Sequence, residues 1–74
     1  MLRQSLNVPV PGIGTSCDIH ARYDASGPAW LGVYDRDRQT WHTTAGEGPG
    51  ACYALLAAGY TSALAVLEAR TVQS

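Results

Sequence analysis

The sequence predicts a small α+β domain: an antiparallel sheet of three to four strands with one helix, in the order β-β-β-α-β. Three observations predict it. In "TSCDIHARY" (15–23) the apolar Cys17, Ile19, Ala21 and Tyr23 alternate with Asp18, His20 and Arg22, the period-two pattern of a half-buried strand. Residues 29–44 read as two β-forming runs around the polar interruption "DRDR", hence a hairpin. "PGACYALLAA" (49–58) is rich in helix formers and opens on a proline.

The elements follow in order. The first fourteen residues hold Pro9, Pro11, Gly12 and Gly14, which exclude a regular helix. Residues 1–14 are therefore expected as an extended arm, pinned by Leu2, Leu6, Val8 and Val10 to a single domain over 15–74. "DASGP" (24–28) gathers turn formers before a second strand, from Ala29 to Asp35. That strand puts Leu31 and Val33 on one face and Trp30, Gly32 and Tyr34 on the other. "QTWHT" resumes after the charged loop, and with no Asn-Gly pair at its turn the register stays open. The loop "TAGEGPGA" ends in Pro49, whose missing N–H costs nothing at a first helical position, and Gly59 is expected to close the helix with a left-handed cap. "YTSALAVLEARTVQS" divides: Ala, Leu and Glu favour a helix that Ser62 would cap, while a mixed apolar run after a turn fits a strand returning to the sheet. The strand is expected.

Composition narrows the function. With 74 residues there is room for one core, and a domain of this size is often supplemented by dimerisation, so a homodimer is expected as one state. All five basic residues are Arg, against six acids, and the net charge of -1 disfavours direct nucleic-acid binding. Two cysteines without a spacing pattern read as small buried apolar residues. No export signal and no membrane-length apolar run is visible, which points to a cytoplasmic protein with no membrane partner.

The motifs that would carry chemistry fall short. Cys17, His20, His42 and Cys52 are the candidate zinc ligands, but on a strand Cys17 and His20 point to opposite sides, so no metal site is expected. "DRDRQT" begins like a calcium loop, then places Thr40 and Gly46 where glycine and a bidentate glutamate belong. "GEGPGA" (46–51) fits a dinucleotide fingerprint formally, yet Pro49 removes one N–H from the phosphate cradle and the chain is too short for a two-halved sheet. No cofactor is expected. Ser, Thr or Cys beside His20 or His42, with Asp18 or Asp24 to orient the imidazole, could in principle attack an ester or amide, but no recognisable motif surrounds them and the chain is expected to be non-enzymatic.

Two resemblances bear on function. "GVYDRDRQTW" is similar to the Tyr-Asp to Trp hairpin of kelch propeller repeats, without the paired glycines and in a single copy, whereas a propeller needs many. In size, charge balance and lack of a catalytic signature, the whole chain resembles the small phage-encoded inhibitors called anti-CRISPR proteins. That resemblance carries no motif and transfers no residue role. It implies a protein that sterically blocks a bacterial CRISPR-Cas effector complex.

With Cys17, Ile19, Ala21, Leu31 and Val33 under a helix face of Tyr53, Leu55 and Leu56, the opposite face carries His20, Arg22, Trp30 and Tyr34, joined by His42 or Trp41. An apolar face of this kind is rarely left wet. Either the amino-terminal arm or a second copy covers it, or another protein docks there. The expected partner contacts are Trp30, Tyr34, Arg22, Arg36, Asp37 and Arg38, rings for buried area and loop charges for orientation. The alternatives are a single-stranded nucleic-acid-binding sheet module, with bases stacking on Trp30 and Tyr34, and a small dimeric regulatory or antitoxin-like protein.

Overall fold

The structure, a computed structural model of the chain, describes residues 1–44, 46, 48–57 and 60–73. It is an α+β domain: a four-stranded antiparallel meander, β1 (Leu2–Val10), β2 (Gly14–Asp24), β3 (Gly27–Asp35) and β4 (Thr40–Thr43), followed by α1 (Pro49–Ala57) and α2 (Thr61–Gln73). The strands lie side by side in chain order.

Three short turns make the meander. At Val10-Pro11-Gly12-Ile13 the Ile13 N–H donates to Val10 C=O at 3.0 Å, with proline second and Gly12 third at φ 84°, the arrangement of a type II turn. At the next turn the Asp24 carboxylate accepts from the N–H and hydroxyl of Ser26, at 2.8 and 2.6 Å. The third turn, residues 36–39, is held from beneath by Asp35, whose Oδ1 accepts the N–H groups of Asp37 and Arg38 at 3.1 and 3.4 Å. Asp35 is 1% exposed, and its position explains why "DRDR" can turn without glycine.

Alternation along the strands sorts two faces. Val8, Val10, Cys17, Ile19, Ala21, Leu31 and Val33 point to one side, where they form the core with Leu55 of α1 and Ala63 and Leu67 of α2. α2 lies on β1 and α1 on β3, so both helices occupy this side. The Cα extents of 31 × 27 × 16 Å are those of one sheet backed by one helix layer.

Two expected elements are corrected. The stretch set apart as an arm is the edge strand β1, paired with β2 from Leu2↔Arg22 to Val10↔Gly14. Proline is tolerated on an edge because one side of the strand has no ladder to complete, and Pro9 sits there. Val8 and Val10 pin the strand as expected, whereas Leu2 and Leu6 are 75% and 51% exposed. The last segment is a helix, not a strand. Ala63 and Leu67 are buried, with Tyr60 and Val66 packed beside them, a spacing of three and four residues that only a helix aligns. Ser62 does not cap it; its hydroxyl donates to Pro11 C=O at 2.8 Å and ties α2 to the first turn.

α1 opens at Pro49 as expected, with the Cys52 N–H donating to Gly48 C=O at 3.1 Å. The cap expected at Gly59 lies outside the described residues. The expected helix face of Tyr53, Leu55 and Leu56 is corrected: Leu55 alone is buried, while Tyr53 is 77% and Leu56 42% exposed. At about 100° per residue, Tyr53 stands nearly opposite Leu55 and Leu56 a quarter-turn away, so the three cannot share a face. No single helix among the described residues is long and apolar enough to cross a membrane.

Candidate functional site: an uncovered aromatic sheet face

The register sets out the other side of the sheet in rows. One row is Leu2, Arg22 and Trp30; the next is Gln4, His20, Gly32 and Thr43; the third is Asp18, Tyr34 and Trp41. Even-numbered residues of β2 and β3 thus share a face, and β4 presents Trp41 to it. No described helix covers this side.

Trp41 is the centre of a ring cluster. Its indole lies 5.0 Å from the Tyr34 ring, tilted by 46°, and 5.8 Å from the His20 ring, tilted by 43°. These are tilted pairings within the range where aromatic quadrupoles attract. Trp41 remains 54% exposed, and His20, Tyr34 and Trp30 are half-buried. Trp30 lies along its own strand over Gly32, where a Cβ would come within 2.6 Å of the indole Cη2. The missing side chain at Gly32 is the seat of the ring.

Charge sits at the rim. Arg36 Nε donates to both Asp18 carboxylate oxygens, at 2.9 and 3.1 Å, and the Asn7 N–H donates to Asp18 Oδ1 at 2.8 Å. Partial burial alone would raise the Asp18 pKa, but these hydrogen bonds and the Arg36 charge outweigh it and hold the carboxyl below its ordinary value. Arg22 lies at the other end of the face, exposed, on the β2 position opposite Trp30.

The six residues expected as partner contacts divide. Arg22, Trp30 and Tyr34 are together on the uncovered face, and Arg36 reaches it through Asp18. Asp37 and Arg38 are not there. Asp37 accepts from the Thr15 hydroxyl at 2.9 Å, and Arg38 approaches Asp35 at 3.9 Å, both at the end of the sheet near the first turn. The side chains of a tight four-residue loop leave in different directions, so adjacency in "DRDR" did not mean a shared surface. Trp41 and Leu2 were outside the expected set. The sequence leaves His42 or Trp41 open as the further residue of this face, and the register Tyr34↔Trp41 decides for Trp41.

The candidate ligating and nucleophilic groups stay apart. Cys17 is fully buried on the helix side; burial, with Asp35, Asp37 and Asp18 nearby, raises its thiol pKa and keeps it protonated. His20 is on the opposite face, and His42 faces Tyr60 at 6.4 Å between ring centres. Among the described residues no three His, Cys, Asp or Glu groups are gathered as a metal site. A shallow groove of about 380 Å³, lined by residues 9–15 and Arg38, holds neither a histidine nor a cysteine.

The remaining polar cluster joins β1, β2 and α2. The Tyr23 hydroxyl donates to Glu68, Arg3 Nη1 donates to Glu68 at 3.1 Å, and the Arg3 guanidinium lies 4.4 Å over the Tyr23 ring. Burial, then the hydrogen bond and charge of Glu68, push the Tyr23 pKa up to about 12. These groups fasten α2 to the sheet.

Fold and site together define a helix-backed antiparallel meander with one uncovered aromatic face. No protein-family model matches the chain, and comparison with curated proteins and with solved structures gives no significant match.

Proposed function

We propose that the chain is a non-enzymatic binding module whose uncovered sheet face docks a partner protein. One observation carries this reading: Trp30, Tyr34, Trp41 and His20 share a face that neither helix nor the amino-terminal strand covers. Tryptophan, tyrosine and arginine are the residue types in which binding energy concentrates. The ionic groups at the rim include the Asp18–Arg36 pair, so the face has no strongly positive field and suits a protein better than a phosphate backbone. An inhibitor of a bacterial CRISPR-Cas effector would use such a face by steric occlusion. That narrower version is supported by the chain's size and charge balance alone.

The test is a retention experiment from bacterial lysate with two baits, wild type and Trp41→Ala. The expected result is a protein held by the first and reduced at least about fivefold on the second, since an anchor residue is worth more than about 1 kcal/mol. Equal retention by both baits sinks the reading. For the narrower version, expression of the chain in cells that carry an active CRISPR system is expected to restore phage growth, and Trp41→Ala to abolish the effect. If instead a single-stranded oligonucleotide quenches the tryptophan fluorescence with a steep salt dependence, the face is a base-stacking platform and the protein-docking reading fails.

A further inference from the structure

β1 is an edge strand of the sheet, and its outer side turns away from β2. Tyr23 N–H donates to Met1 C=O at 2.8 Å and the Met1 amino group donates to Tyr23 C=O at 3.0 Å, so Met1 and Tyr23 are a hydrogen-bonded pair. Such pairs alternate with non-bonded ones along an antiparallel ladder. From the register Leu2↔Arg22, Arg3↔Ala21, Gln4↔His20 and Ser5↔Ile19, Arg3 and Ser5 therefore turn their N–H and C=O groups into the sheet. Leu2 and Gln4 turn theirs outward. The edge is regular from Leu2 to Ser5; the register shift between Ser5 and Val8, with Asn7 at φ 56°, and Pro9, features that blunt edges, come after that.

We propose that a second copy of the chain pairs here, β1 against β1 in antiparallel fashion about a two-fold axis at Gln4. Gln4 then faces Gln4 of the second copy and exchanges both backbone bonds with it, and the Leu2 side chain comes beside its Leu6. Leu2 and Leu6, 75% and 51% exposed in the single chain, cover each other. On the helix side Arg3 comes opposite Ser5. Arg3 stays on Glu68 and over the Tyr23 ring, and the Ser5 hydroxyl stays buried within its own chain. Each contact between the copies occurs twice about the axis or lies on it, as an isologous interface requires. The axis is normal to the sheet, so both aromatic faces look the same way and the eight-stranded assembly presents two docking surfaces side by side. The pairing does not depend on what those faces bind.

Light scattering over a concentration series reads the proposal directly. The expected mass at high concentration is twice the 7.8 kDa of one chain. Gln4→Pro removes an N–H that points away from β2, leaves the ladder within the chain whole, and is expected to give a folded monomer. If that variant does not fold, the double variant Leu2→Lys, Leu6→Lys replaces exposed side chains only and is expected to give the same monomer. Register is tested by oxidation in a Cys52→Ser background. Gln4→Cys crosslinks to itself, since facing Cα atoms of a bonded pair stand about 5.5 Å apart, within disulfide reach. Leu2→Cys alone does not crosslink. A monomer at every concentration overturns the proposal. So does a dimer that survives Gln4→Pro or the lysine pair, and a dimer dissolved by Trp41→Ala would move the second copy to the aromatic face.

Discussion

The two faces of the sheet are made from the same strands and could hardly differ more. The side beneath the helices carries Cys17, Ile19, Ala21, Leu31 and Val33, small or branched groups over which α1 and α2 lie. The other side carries Trp30, Tyr34, Trp41 and His20, and no described helix covers it. The difference teaches that the rings are not core filler. A core of modest side chains lets two short helices approach closely, and the large side chains stand where nothing in the single chain needs them.

The comparison can be broken by mutation, and the largest effect is expected on the covered side. Leu67→Ala empties a site that is 0% exposed and is expected to cost about 2–5 kcal/mol in urea unfolding, comparable with the whole stability of a domain this small. A loss below about 1 kcal/mol would mean that α2 is not part of the core. Trp41→Ala, a larger truncation on the uncovered side, is expected to cost under about 1 kcal/mol, the worth of its cross-strand pairing with Tyr34, while partner retention collapses. Unfolding of that variant would make the ring a structural element.

Two smaller tests sharpen the contrast. Gln39 turns the last hairpin with φ 53°, a conformation that disfavours a residue bearing a Cβ. Gln39→Gly is expected to raise stability by up to about 1 kcal/mol in the same urea titration. Gly32→Ala places a methyl where the Trp30 indole rests, so the ring must swing off the face. A changed tryptophan emission with near-native circular dichroism is expected, together with weaker partner retention.

The faces also titrate at opposite ends of the pH scale. On the helix side the Tyr23 pKa is raised to about 12 by burial and Glu68, so the folded state holds its proton more tightly than the unfolded chain. That contribution is complete below the ordinary tyrosine value of about 10 and is lost as pH rises through about 12. Tyr23→Phe should flatten this alkaline limb in a stability-versus-pH series. On the uncovered side the Asp18 pKa is lowered, so its contribution is present above the ordinary carboxylate value and disappears as pH falls through the folded one. The Asp18–Arg36 pair is partly exposed, and the acid limb is expected to be the shallower of the two.

Much of this was legible. The alternation over 15–23 predicted the two faces of β2, "DASGP" its turn, and Pro49 the start of α1. The strand β1 is not legible although Val-Pro-Gly-Ile spells a type II turn, because its prolines argue against regular structure until the strand's place at the sheet edge is known. The helix α2 was missed because a short apolar run satisfies either period until it is known what lies beneath it. Tyr60, Ala63, Val66 and Leu67 were the signal for the helix. Of the candidate site, Trp30, Tyr34 and Arg22 were found by parity. Asp37 and Arg38 are near them in sequence only, because a tight turn sends adjacent side chains in different directions.

What the sequence alone determined is which side chains stand together, since a strand sends successive residues to opposite sides whatever surrounds it. What only the tertiary structure decided is which of the two sides is closed. That choice belongs to the helices, which settle on the side where small and branched residues let them approach and which, both lying on that side, leave the rings to the outside.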